Sequence, residues 1–202
     1  MNEKDCNCEI YDVSKHKRDS FPTSSFREKE PLELFHTNIC SQMQTQYIGG
    51  SIYLFTLFGD YSRKIWVYFL KNKSDTFSRF KEFKKEAEKK TGKTLKVLIS
   101  DKGGEYSSNE LKYFCQQEGI IMQNTTIYTP QQNVVVERKN QSIMNMAKCM
   151  LREKNLSNNY SAEAVSMVVS IVNRSPTTNL QGTILQRVWD CKKVNVSHFR
   201  IF

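Results

Sequence analysis

Two carboxylates, Asp101 and Glu137, stand where they could do chemistry together. Asp101 directly follows TLKVLIS, a run with the composition of a buried strand, and Glu137 falls on the polar stripe of a later amphipathic segment. Thirty-five residues separate them. A strand end and a helix packed beside it can bring such groups together. Paired carboxylates hold Mg2+ or Mn2+, because these hard cations bind anionic oxygen and leave room for phosphate. Spacing of this kind also arises between solvated surface carboxylates, so the pair needs support from its surroundings. His16, His36 and His198 stand apart from one another and fit structural roles better than metal ligation. The six cysteines (Cys6, Cys8, Cys40, Cys115, Cys149, Cys191) form no C-x-x-C pair, and nothing marks a Cys/His nucleophile. Free thiols in a reducing compartment are expected.

The elements that must position these carboxylates follow from the hydrophobic period. Leu32, Leu34 and Ile39 mark a first strand ending near Cys40. SIYLFTLFGD and KIWVYFL, joined by a turn over Gly59–Arg63, read as an antiparallel hairpin. The period then changes: Phe77, Phe80, Phe83 and Ala87 recur at helical steps, with Ser74 or Asp75 as N-cap and Gly92 as the stop. TLKVLIS is the fourth strand. Ser107 and Glu110 fit a capping box for a helix running to Glu118, and IIMQNT is a fifth strand. Thr129-Pro130-Gln131-Gln132 reads as the start of the Glu137 helix, with Val136, Ile143, Ala147 and Met150 on its apolar stripe. A last helix over about Ser157–Arg174 carries Tyr160, Ala164, Met167, Val168 and Ile171 and ends before Pro176. The expected fold is α/β: a five-stranded mixed sheet, strands one to three antiparallel, with helices on both faces.

The net charge is +9, and it is unevenly distributed. Residues 61–96 carry twelve Lys/Arg against four Asp/Glu, whereas residues 31–60 carry no Lys or Arg. A polyanion is the first partner to consider, with a solvated helix face as the plain alternative. No apolar run is long enough for a membrane span, and the N-terminus lacks the apolar stretch of a signal peptide. An intracellular protein with no membrane partner is expected.

Longer words carry a family resemblance. SDKGGEYSSNELKYFCQQEGI followed by YTPQQNVVVERKNQSIMNMAKCML is similar to the second and third catalytic motifs of copia-type retrotransposon integrases. PLELFHTNICSQM resembles the first motif and GGSIYLFTLFGDYSRKIWVYFLKNKSDTFSRFKEF the stretch between. NRSPT and VSHFRIF continue the match, which covers about residues 31–202. The resemblance implies an RNase H-like fold, three acidic residues holding two divalent ions (Mg2+ or Mn2+), and transfer of retroelement DNA into target DNA. It also implies a nuclear site of action where the protein is functional.

Carried over by residue, Asp101 and Glu137 match the second and third acids, and Asn38 falls on the first. The resemblance makes Asp101 and Glu137 metal ligands and Asn38 a substituted one. A neutral amide is poorly suited to bridging two dications, so metal binding is expected to be weakened and catalysis lost. Glu33 should lie on the opposite face of the strand and Asp60 at the other end of the sheet, so neither replaces the missing acid. Ser41-Gln42 stands where the family has Gly-Pro. Val134 replaces an expected Gly, and Val136 an expected small residue. Upstream, CEIYDVSKHKRDSFP resembles the end of a zinc-binding region, but Tyr11 stands at the second Cys position after Cys8, and no zinc is expected.

For DNA, the best candidates are Lys139, Lys148 and Arg152 on the Glu137 helix, contacting phosphates without reading sequence. Lys102, next to Asp101, could meet a scissile phosphate or balance local acids. The expected organisation is a lead-in over 1–30 left from the zinc-binding and linker region, a core over 31–175, and a truncated C-terminal extension over 176–202. That arrangement reads as a piece of a larger polyprotein. Three readings stay open: an active integrase core, a catalytically silent fragment that keeps the fold and some DNA affinity, and an interaction module. Homo-oligomerisation is also left open. Asn38 favours the silent fragment over the active enzyme.

Overall fold

The computed structural model describes residues 28–40, 49–100, 109–124, 130–177, 180, 182–197 and 199. The first three strands are β1 (Leu34–Cys40), β2 (Tyr53–Gly59) and β3 (Ile65–Leu70). Next come helix α1 (Thr76–Thr91), strand β4 (Val97–Ser100), helix α2 (Asn109–Gln117) and strand β5 (Ile121–Asn124). The long helix α3 (Pro130–Glu153) and helix α4 (Ser161–Arg174) follow. A two-residue ladder of β6 (Pro176–Thr177) and β7 (Thr183–Ile184) leads to the short helix α5 (Leu185–Asp190).

β1, β2 and β3 form an antiparallel meander, and β4 and β5 add in parallel on the far side of β1. The sheet order is β3-β2-β1-β4-β5, the mixed five-stranded sheet expected from the sequence. Because side chains alternate along a strand, each central strand feeds two cores. Phe35, Ile39, Phe55, Leu57, Leu70 and Leu98 pack under α1, α2 and α5 on one face. Leu54, Phe58 and Ile65 pack under α3 and α4 on the other. Helices therefore cover both faces.

The first face holds an aromatic cluster. Phe35 lies 5.4 Å from Trp66 and 5.1 Å from Phe83, and Trp189 of α5 closes on Trp66 at 4.8 Å. Gly59, paired with Phe35 across the ladder, makes room for it: a Cβ there would meet the Phe35 ring at 3.0 Å. The residues after Arg174 thus return to the core, with Leu185 and Trp189 buried. On the second face the Asn173 amide grips the β3 edge, accepting from Ile65 N at 3.0 Å and donating to Ile65 O at 2.8 Å. That pairing satisfies two backbone groups an edge strand would otherwise leave open.

Several local expectations are corrected. α1 does not start on a Ser74 or Asp75 side-chain cap. A 3-10 turn over Lys73–Asp75 precedes it, and the Asp75 carboxylate reaches back to accept from Asn72 N at 3.1 Å. The expected stop at Gly92 holds, at φ +67°. The last long helix is preceded by a separate 3-10 turn over Asn158–Tyr160, which the Ser157 side chain caps. Its buried side is Ala164, Val165, Val168 and Val169, while Tyr160 and Met167 are exposed. The adjacent pairs Ala164–Val165 and Val168–Val169 outweigh a stripe drawn through the larger side chains. Ser107 and Thr129, named as helix starts, lie outside the described residues.

Candidate functional site

Asn38 sits near the C-terminal end of β1, in the centre of the sheet, on the face that α3 covers. Alternation puts it on the side of His36 and Cys40, and it is 9% exposed. Directly across the ladder lies Thr56 of β2. The Thr56 hydroxyl donates to Asn38 O at 3.2 Å, inside the buried layer. Above them Asn140 of α3, itself buried, donates through Nδ2 to Asn38 Oδ1 and to Thr56 Oγ1, both at 3.2 Å.

These bonds fix one another's sense. The Thr56 hydroxyl has one proton, which goes to Asn38 O, so toward Asn140 it can only accept. Asn140 must therefore present its NH2 group, and Asn38 must present its oxygen. That oxygen also lies 3.7 Å from Cys40 Sγ, close enough for a weak thiol bond. Position 38 is thus built to hold an acceptor, and its acceptor is engaged.

Glu137 lies one turn before Asn140 on α3 and is exposed. The same helix that pins Asn38 therefore carries the carboxylate one turn from that bond. At about 100° per residue, Glu137, Gln141, Lys148 and Arg152 share one stripe of α3, and Lys148 and Arg152 are exposed along it. Lys139 is half-buried on the other flank, beside Met146. The structure groups Lys148 and Arg152 with Glu137 and sets Lys139 apart. Asp101 and Lys102 lie outside the described residues. The β1–β4 register ends at the pair Thr37–Ser100, one residue before Asn38 in β1.

No other carboxylate among the described residues stands in at Asn38. The Glu33 carboxylate accepts from Lys29 N and Glu30 N, each at 3.0 Å, and pairs with Lys96 at 3.0 Å. The Lys96 ammonium, together with those N–H groups, holds its carboxyl down to about 2. Asp60 pairs with Arg63 at 3.1 Å, and its backbone N–H bonds to Leu34 O, at the opposite end of β1. His36 is buried against Phe58, and its Nδ1 has no hydrogen-bond partner. Desolvation lowers its pKa to about 4, so it is neutral at ordinary pH.

The two-cation site of a magnesium-dependent strand transferase needs anionic oxygens between and around the ions. Asn38 offers a neutral amide oxygen already bonded by Asn140, and Glu137, one turn before Asn140 on α3, is an exposed carboxylate. Among the described residues no group of three His, Cys, Asp or Glu side chains could hold a metal ion. Among the described residues, no helix is long and apolar enough to cross a membrane.

Asn140 and Thr56 were not picked out from the sequence. The available signal was the position of Asn140, which lies on the buried stripe of Val136, Ile143 and Ala147. A polar residue on an apolar stripe needs a partner inside the protein.

Comparison with known proteins agrees with this architecture. Residues 28–130 match the family model described as the integrase core domain. The chain is 40% identical over 195 residues to the retrovirus-related Pol polyprotein from transposon TNT 1-94 of Nicotiana tabacum, a match covering 96% of this chain and 15% of that protein. It is 29% identical over 169 residues to the Pol polyprotein from transposon RE2 of Arabidopsis thaliana, covering 84% of this chain and 11% of that one. The chain thus spans only a small part of these relatives. Among solved structures, the HTLV-2 integrase catalytic core domain in complex with magnesium, in its trimeric form, superposes with a TM-score of 0.58 at 19% identity, covering 78% of this chain and 96% of that one. A simian T-cell lymphotropic virus intasome in complex with PP2A regulatory subunit B56 gamma gives 0.65 at 16% identity, covering 84% and 58%. The fold is the RNase H-like one of integrase catalytic cores.

Proposed function

The chain belongs to the integrase core domain family, and on that premise we propose that it is a DNA-binding integrase core whose metal-dependent strand transfer is lost at Asn38. The observation that carries this is the bond from Asn140 to Asn38 Oδ1. An aspartate at position 38 would accept the same bond and still offer a second oxygen to a metal. Asparagine keeps the bond and removes the charge. The carry-over of Asp101 and Glu137 as the second and third ligands rests on the motif words around them, and on Glu137 lying one turn before Asn140 on α3. Magnesium or manganese binding would then rest on two carboxylates and be weak.

In this reading DNA is met through phosphates. Lys148 and Arg152 extend from Glu137 along one stripe of α3, with Lys139 on another flank, and Lys102 is a candidate by its place next to Asp101 in the sequence. The functional unit is the 31–175 core together with α5, whose Trp189 completes its packing. Action in the nucleus and self-association go with this role. The HTLV-2 core is itself described in trimeric and dimeric forms.

The test is a strand-transfer assay with Mg2+ or Mn2+, run on the chain and on Asn38→Asp. Little or no joining by the unmodified chain is expected. Robust joining that Asp101→Asn abolishes would overturn the reading.

A further inference from the structure

We propose that the outer face of α1 is a second nucleic-acid surface, on the side of the sheet away from Glu137 and Asn38. It goes beyond the α3 site and does not depend on metal. The two helices are separated by the sheet itself: Phe80, Phe83 and Ala87 of α1 pack into the Phe35 core, while Val136, Ile143 and Ala147 of α3 pack into the Phe58 core.

On α1 the basic residues divide into two sets. Arg79 pairs with Glu82 at 2.7 Å, Lys84 with Glu88 at 2.7 Å and Glu118 at 2.9 Å, and Lys90 with Asp190 at 2.6 Å. These are structural pairs, and two of them tie α1 to neighbouring elements. Lys81, Lys85 and Lys89 are exposed, and among the described residues no ion pair holds them. They recur every four residues, so they form a single stripe about 12 Å long. That length is close to the rise of three to four phosphates on one strand of a duplex, at about 3.4 Å each. Lys81 is steadied by the Phe77 ring, whose centroid lies 4.4 Å from its Nζ.

The three lysines repel along the stripe, and the exposed Glu82 and Glu86 on the neighbouring flank offset only part of that charge, so a polyanion is the partner that the grouping fits. A lipid surface is disfavoured, because the apolar side of α1 is consumed by the core and no large apolar residue of α1 is exposed. A phosphodiester strand matches both the sign and the length of the stripe.

The full chain, Lys81→Gln/Lys85→Gln/Lys89→Gln, Lys148→Gln/Arg152→Gln and the all-arginine version of the first triple would be compared by fluorescence anisotropy. A short labelled duplex would be titrated from about 50 to about 200 mM salt, with circular dichroism confirming each fold. The glutamine triple should weaken binding about 10-fold or more at low salt. It should also flatten the logarithmic salt slope by about 2–3, near 0.9 for each phosphate left without its lysine. The arginine version should restore both. Unchanged slope and affinity in the triple overturns the proposal and leaves the α3 site standing if the α3 pair still weakens binding. An effect of the triple with none from the α3 pair supports α1 and removes α3 as a DNA surface. Affinity for phosphatidylserine vesicles without affinity for DNA overturns the assignment of partner.

Discussion

Asn140 Nδ2 lies 3.2 Å from Asn38 Oδ1, and this bond spans the boundary between the long helix and the centre of the sheet. It joins residues 102 positions apart in the chain, with Thr56 as the third member. The network sets the angle at which α3 rests on β1 and β2, and with it the place of Glu137 one turn away. Position 38 is therefore structural: whatever occupies it must accept a hydrogen bond in a nearly dry site.

Asn140→Ala should lower stability by about 1–3 kcal/mol, because Asn38 Oδ1 loses its donor in a site 9% exposed. Asn140→Asp should be worse than Asn140→Ala. It turns an acceptor toward Asn38 Oδ1 and replaces the amide with a buried charge. Urea denaturation of both variants checks the order, and a loss under about 0.5 kcal/mol for either would show the network to be energetically idle.

The sheet was legible because its signals are local. Alternating β-branched and aromatic residues in SIYLFTLFGD and KIWVYFL, with a short turn between, leave little choice but a hairpin. The helix starts were less legible: Asp75 bonds backwards to Asn72 and makes a 3-10 turn where a simple cap was expected. In α4 the sequence offers two adjacent apolar flanks, and only the position of α3 and β3 decides that Val165 and Val169 go in and Met167 stays out. At the site, Glu137 and Asn38 came from motif words. Asn140 required the tertiary contact, since nothing local distinguishes a buried asparagine from an exposed one. Trp189 belongs to the same class, because its partners Phe35 and Trp66 are more than a hundred residues away.

Trp189→Ala should cost about 3–5 kcal/mol, the range for removing a buried large aromatic. It opens a cavity against Phe35 and Trp66 and leaves α5 leaning on the Lys90–Asp190 pair. Trp189→Phe should recover about half of that loss. Tryptophan fluorescence during denaturation reads both, and a stable Trp189→Ala protein with an unchanged midpoint would mean that α5 is only loosely attached.

Lys64 lies over Trp66 at 5.0 Å and Trp189 at 5.9 Å, and burial pushes its pKa down to about 8. The free chain would titrate near 10.5, so between about 8 and 10.5 the unfolded state holds more protons and stability rises with pH. Below about 8 the penalty of the buried ammonium is complete. Lys64→Met keeps the stem and removes the charge, and should abolish the rise. Stability measured at about pH 7 and about pH 10 for both proteins decides it. A difference between them that does not change with pH would mean that Lys64 keeps its proton in the fold throughout.

Replacing Asn38 with aspartate is expected to make the protein less stable without metal and more responsive to it. The carboxylate would still accept from Asn140, yet it would be an anion in a site 9% exposed, with Glu137 one turn from Asn140 and no cation among the described residues placed to offset it. The melting temperature of Asn38→Asp should therefore fall below that of the unmodified chain in chelator and recover as Mg2+ or Mn2+ is added. Mass action requires this of any ligand that binds only the folded state. Calorimetry should show tighter metal binding in the variant, reversed by Asp101→Asn. Turnover is a separate matter, since removing one stabilising donor elsewhere costs about 10²–10³-fold and Val134 and Val136 also depart from the family pattern. Val136 is buried in the α3 core, so its size is already accommodated by the fold and reverting it would open a gap. Equal metal affinity in the unmodified chain and in Asn38→Asp would mean that position 38 holds α3 in place and has no part in binding cations.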